Sequence, residues 1–201
     1  MFYNIGTNLC GGILMNIYEH CPTAEGERFA LRLVGQEDCG DLLKVYADPA
    51  AVPLFNSDNC NGDDFHYTTE ERMMEAIRMW LWSYEHGYFV RWSILDKAAQ
   101  CAVGTIELCY RVSGDSYNGC GILRLDLRSD YENETDIGEI LSVIVPPSFG
   151  WLGCGKLITK AKPIARERIK VLTQMGFAAE DEPLIGHDGT AYGDYYILTK
   201  R

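Results

Sequence analysis

A chain of 201 residues that is 47% hydrophobic and 23% charged has the balance of an ordinary globular protein, long enough for one domain with a sizeable core. Its formal net charge of −11 argues against nucleic-acid and anionic-membrane partners, which both require a basic footprint. The start lacks the basic-then-apolar pattern of a secretory signal, and the uncharged stretch 140–155 carries Pro146, Pro147 and three glycines, which excludes it as a membrane span. Eight cysteines without a Cys-x-x-Cys pair read as reduced thiols rather than metal ligands or a disulfide framework, so the expectation is no metal and a cytoplasmic location.

Residues 1–28, with Gly6, Gly11, Gly12 and a strand-like run from Ile13 to Tyr18, are expected to form an extension that pairs with a sheet edge, mediates a homodimer or stays mobile. The remainder, 29–201, reads as one domain. Phe29 to Val34 is a strand, and Cys39, Leu42, Leu43 and Tyr46 recur at helical spacing from about Gln36, until Asp48-Pro49 stops the helix. Residues 49–67 form a long polar loop. Thr68 and Glu71 have capping-box spacing, and Met73, Ile77, Trp80, Leu81 and Tyr84 mark the core face of a helix ended by His86-Gly87. Tyr88 to Leu95 and Ala102 to Leu108 read as antiparallel strands joined at Asp96-Lys97, and Ser113 to Gly119 as a polar loop.

From Cys120 to Arg128, Leu123, Leu125 and Leu127 alternate with Arg124, Asp126 and Arg128, the period of a strand with one apolar and one charged face. An acidic loop, Asp130 to Asp136, leads into a helix carrying Ile137, Ile140, Leu141 and Ile144 on one face. Asp136 and Glu139 are expected to cap this helix, and Pro146-Pro147 to end it in a glycine-rich bend. A strand from Lys156 to Ala161, a helix from Pro163 to Phe177 and a last strand from Asp194 to Lys200 complete the order.

This order resembles the GNAT superfamily of N-acetyltransferases, in the branch that includes ribosomal-protein alanine acetyltransferases. Four stretches carry the likeness: Phe29 to Asp48; Phe89 to Leu108 with Val103-Gly104-Thr105-Ile106; Pro163 to Phe177 with Arg168-Ile-Lys-Val-Leu172 before Met-Gly-Phe; and Gly189 to Leu198. The resemblance implies an α/β (α+β) fold, with a mixed, largely antiparallel sheet splayed between the family's fourth and fifth strands and helices on both faces. It implies acetyl-CoA as cofactor, lying against the fourth strand with its pyrophosphate on the following loop, and an amine of a small molecule or a protein N-terminus as acceptor.

By position, the resemblance brings Leu127, Arg128, Asn133, Thr135, Ile137 and Arg168 to the cofactor. Two departures stand out. The loop offers Asn133 and Thr135 where the pattern has glycines that let backbone amides reach the phosphates, and it is ringed by Asp130, Glu132, Glu134 and Asp136. Ala165 and Arg168 replace the Asn and Ser of the last core helix, and a guanidinium is too weak an acid to protonate a thiolate. The candidate catalytic residues are Glu107 as base, Tyr192 and Tyr195 as acids, and His187, which titrates near neutral pH. Arg124, Asp126, Trp80 and Tyr84 are the candidate substrate contacts. The alternative is a GNAT-fold binding or regulatory protein that has lost acetyl-CoA.

Overall fold

The computed structural model describes residues 16–200. The strand-like run at 13–15, and any pairing or homodimer role of residues 1–15, lie outside these residues, while Ile17 and Tyr18 belong to a turn. In chain order the elements are β1 (Ala24–Glu25), β2 (Phe29–Leu33), α1 (Cys39–Tyr46), α2 (Glu70–Glu85), β3 (Val90–Asp96), β4 (Cys101–Tyr110), β5 (Gly121–Leu127), α3 (Glu134–Leu152), β6 (Lys156–Lys160), α4 (Arg166–Gln174), β7 (Ala178–Glu180), β8 (Leu184–Ile185), β9 (Ala191–Tyr192) and β10 (Tyr195–Thr199). The main sheet runs β1-β2-β3-β4-β5-β6-β10-β7, and β8 with β9 makes a separate two-stranded ribbon. Its neighbours are antiparallel except β5 and β6, whose parallel pairing spans Gly121↔Leu157 to Leu123↔Thr159 only. Beyond Leu123 the two strands part, so the expected splayed, mixed sheet is present.

Period-two alternation sends Val90, Trp92 and Ile94 of β3, with Leu123, Leu125 and Leu127 of β5, into a core under α3 and α4. On the other face α1 and α2 pack a second core around Tyr46, Met73, Ile77 and Trp80, so helices cover both faces. Backbones β4 and β5 approach closely at Gly104, where an added Cβ would come within 2.3 Å of the Asp126 carbonyl oxygen.

Three local expectations are corrected. The N-cap of α2 is Thr69, which accepts from the Arg72 amide, one residue after the Thr68 expected from spacing. The N-cap of α3 is Asn133, whose side chain accepts from the Asp136 amide at 3.0 Å. Asp136 therefore sits inside the first turn, and Glu139 instead accepts from the Arg28 amide at 2.6 Å and the Phe29 amide at 3.2 Å, tying α3 to β2. Finally, α3 runs straight through Pro146 and Pro147. Each proline forfeits a backbone hydrogen bond, yet Val145, Phe149 and Leu152 around them are buried and hold the helix to the sheet. It ends only at Gly153, at φ 62°, with Gly153 N–H on the Gly150 carbonyl and Cys154 N–H on that of Phe149, the paired bonds of a Schellman turn.

Asp96 closes the β3–β4 turn. Burial works to raise its pKa, but the Arg28 guanidinium at 2.7 Å, the amides of Ala98 and Ala99 and the Tyr131 hydroxyl outweigh it and bring it down to about 2. Because the folded pKa lies below the unfolded one, its contribution is complete above roughly pH 4 and lost as pH falls toward 2. Asp96→Asn should therefore destabilise the protein at neutral pH and flatten its acid-denaturation curve between these values. An unchanged curve by circular dichroism would refute this.

Candidate functional site

The splay between β5 and β6 is filled by the chain's own groups. Arg168, projecting from α4 and only 2% exposed, reaches into it. Its Nη1 donates to the Leu125 carbonyl of β5 at 2.8 Å and to the Leu54 carbonyl at 3.2 Å, and its Nη2 donates to the Glu132 carboxylate. The two departures noted separately in the sequence, a carboxylate in the loop and an arginine in the last core helix, are thus two halves of one buried ion pair. Burial pushes the Glu132 pKa up, against the pull of Arg168.

The acidic loop is also less repulsive than its carboxylates suggested. Asp130 pairs with Arg128 at 2.7 Å, Glu132 with Arg168, Glu134 with Lys170, and Asp136 with Arg28 at 2.7 Å. The obstacle to a phosphate is occupancy rather than net charge. Asn133 spends its carbonyl on the first turn of α3, Thr135 is exposed on that turn, and Leu127 and Ile137 are core residues. Without a glycine at 133 or 135, with the Asp136 amide capped and the Leu125 carbonyl taken, these residues do not fit the acyl-CoA group that the resemblance implies.

On the opposite face of the sheet, pairing aligns Arg91 with Glu107 and Glu107 with Arg124, while Thr105 pairs with Asp126. The row is buried: Arg91 is 1%, Glu107 2% and Asp126 1% exposed. Arg91 Nη2 donates to Glu107 at 2.5 Å, and its Nη1 donates to Asp126 at 3.1 Å, Thr105 at 3.0 Å and the Tyr46 hydroxyl at 2.9 Å. Arg124 approaches Glu107 at 3.3 Å. Burial alone would raise the Glu107 pKa, yet the Arg91 and Arg124 guanidiniums hold it below the ordinary carboxylate range. At Asp126 burial prevails and the pKa is raised. Glu107 is therefore not the solvent-facing hairpin carboxylate that its position suggests but an inner ion-pair partner, and its low pKa makes it a poor proton acceptor.

Trp80 is not an open substrate surface either: it lies 4.3 Å from the Arg91 guanidinium, as the apolar roof of this layer. Tyr84, further along α2, is part-buried and packs against the α3-side core. Arg91 and Tyr46 were missed by sequence reasoning. The available signal was an arginine within the otherwise apolar run Val90 to Leu95, on the same strand face as Ser93.

The long loop 47–69 folds over the layer as a strap, and is not the solvated segment that its composition suggested. Phe55, Asn56, Asp58, Phe65 and Tyr67 are all buried. Arg124 Nη2 donates to the Asp58 carbonyl at 2.8 Å, while the Asp58 carboxylate takes Lys160 Nζ of β6 at 2.8 and 2.9 Å and the Tyr195 hydroxyl of β10 at 3.0 Å. Asn59 N–H donates to the Tyr192 hydroxyl at 3.3 Å, and Asn59 Oδ1 accepts from the His187 amide at 3.0 Å. The strap thus joins Arg124 and Tyr195 through Asp58 and brings Tyr192 alongside, whereas His187 is exposed beyond it. Asp58 and Lys160 were the residues that sequence reasoning passed over.

No family model and no curated protein matches this sequence. Solved structures do. The ribosomal-protein-S5-alanine acetyltransferase from Vibrio fischeri superposes with a TM-score of 0.65 at 18% identity, covering 89% of this chain and 96% of that one. RimJ from Mycobacterium smegmatis, solved in complex with CoA-disulfide, gives 0.68 at 16% identity, covering 89% and 87%. RimL, a ribosomal L7/L12 alpha-N-protein acetyltransferase solved in complex with coenzyme A, gives 0.63 at 10% identity, covering 87% and 95%. With a sheet that parts between β5 and β6, α1 and α2 on one face and α3 on the other, this chain has the fold of the GNAT acetyltransferases, in the form taken by the ribosomal-protein acetyltransferases.

Proposed function

We infer that this chain is a GNAT-fold protein that has given up acyl-CoA binding and works as a non-catalytic binding or regulatory module. The observation that carries this reading is the Arg168 guanidinium, seated in the splay on the Leu125 carbonyl and neutralised by Glu132. Displacing it would break a buried ion pair, a cost that a weakly held phosphate cannot offset. Calorimetric titration with acetyl-CoA at low salt tests the reading. The expected result is no heat and no thermal shift at millimolar ligand, and micromolar binding would overturn it.

A second reading, an acetyl-CoA-dependent N-acetyltransferase acting in the cytoplasm on an amine of a small molecule or peptide, is favoured by one observation. The fold matches known acetyltransferases over nearly the whole chain, two of them solved with coenzyme A forms. It requires the same titration to give the opposite result.

A further inference from the structure

We propose that Lys160, Tyr195 and Arg124 form a receptor for a small carboxylate-bearing molecule, and that Asp58 occupies it as a tethered stand-in. The three residues come from adjacent strands at the mouth of the splay, with Lys160 and Tyr195 directly paired in the sheet. They converge on one carboxylate. Lys160 Nζ meets both Asp58 oxygens, at 2.9 and 2.8 Å, and the Tyr195 hydroxyl donates to Oδ2 at 3.0 Å. Arg124 holds the carbonyl of the same residue. Donors exceed acceptors here: Arg124 Nε, buried, has no hydrogen-bond partner among the described residues. An anion bringing two carboxylate oxygens and further acceptors would use groups that one aspartate leaves over.

The occupant is set up for exchange. Asp58 belongs to the strap, whose backbone is left-handed at Asn59 (φ 61°), Asn61 (φ 53°) and Phe65 (φ 62°), a conformation that costs non-glycine residues, and phenylalanine most. The receptor side chains instead stand on sheet strands that stay in register when the strap moves. A tethered carboxylate acts at an effective concentration on the order of millimolar, so a free ligand competes only by making more contacts. The proposal names a ligand class for the binding module inferred above and rests on that reading. Acetyl-CoA titration reads the Arg168–Glu132 pair, whereas succinate reads the Asp58–Lys160 cluster, so the two can fail separately.

Asp58→Asn removes the competing charge, and succinate at constant ionic strength is the probe. Calorimetry should give saturable binding to the variant, about tenfold or more tighter than to the wild-type chain, and adding Lys160→Met should abolish it. In the wild-type protein, succinate should speed amide hydrogen exchange over residues 55–63 while succinamide does not. The proposal is overturned if the folded Asp58→Asn protein binds no succinate, or binds it equally well with Lys160→Met. Should Asp58→Asn fail to fold, wild-type exchange decides alone: acceleration by succinate supports the receptor and an unchanged rate rejects it.

Discussion

Arg91→Met should unfold this protein or leave it barely folded at room temperature. Removing one partner of a buried ion pair costs about 3–5 kcal/mol, because the other charge stays in a medium that cannot solvate it. Here one substitution takes the ion-pair partner from Asp126 and leaves Glu107 with Arg124 alone at 3.3 Å, and it also removes the donor to the hydroxyls of Tyr46 and Thr105. Domains of this size have about 5–15 kcal/mol in total, so the loss consumes most of it. Arg91→Lys keeps the charge but lacks the planar fork that serves Glu107 with one nitrogen and Asp126 with the other, and should recover only part of the stability. The triple variant Arg91→Met, Glu107→Gln, Asp126→Asn should be more stable than Arg91→Met alone, since both carboxylates are then neutral and Arg124, though it loses Glu107, keeps the Asp58 carbonyl. Urea unfolding checks this series. A loss under about 1 kcal/mol for Arg91→Met would mean that water reaches the layer and that it is not the fold's electrostatic centre.

Arg168→Met should cost about 3 kcal/mol or more at neutral pH, with a pH dependence that identifies the cause. Glu132 already has a raised pKa from burial, and losing Arg168 removes the charge that opposes this rise. A carboxyl whose folded pKa lies above its unfolded one destabilises the folded state at high pH, and the penalty fades as pH falls through the folded value. The defect of the variant should therefore shrink on mild acidification, whereas the wild-type protein should gain much less. Replacing both partners, as in Arg168→Met with Glu132→Leu, should recover much of the loss, because an apolar pair avoids both desolvation costs, the remainder being the donor lost to the Leu54 and Leu125 carbonyls. Chemical unfolding between mildly acidic and neutral pH tests this, and a pH-independent defect would assign the loss to packing alone. The double variant also clears the Leu125 carbonyl, so its acetyl-CoA titration shows whether the ion pair is the barrier. Continued failure to bind would place the defect in the capped, glycine-free turn at Asn133 instead.

Much of the architecture was legible in the sequence because period-two and period-3.6 apolar patterns report burial directly. The alternation of Leu123, Leu125 and Leu127 with Arg124, Asp126 and Arg128 put β5 in place, and the Met73–Ile77–Trp80 face defined α2. Continuation of α3 through Pro146 and Pro147 was not legible, since the local rule that proline ends a helix yielded to burial of Val145, Phe149 and Leu152. Nor was burial of the strap. Asn56 and Asp58 look solvated by composition, and only the sheet supplies the Lys160, Arg124 and Tyr195 groups that allow them inside.

By itself the sequence determined the order of strands and helices, a local property of residue type and spacing, and by resemblance it set Asn133, Thr135, Ala165 and Arg168 where the family's pattern has other residues. It also showed seven charges at alternate positions from Arg124 to Asp136 without saying where each one ends. Only the tertiary structure decided that Glu132 meets Arg168 across 36 positions, that Arg91 joins Glu107 and Asp126, and that Asp58 crosses 102 positions to Lys160. The reason is that an ion pair's identity depends on which distant strands the sheet brings within a few ångströms, and on whether water is excluded there. The same carboxylates that read as a repulsive ring along the chain become, once folded, ion-pair partners, and one of them, Glu132, holds Arg168 in the opening.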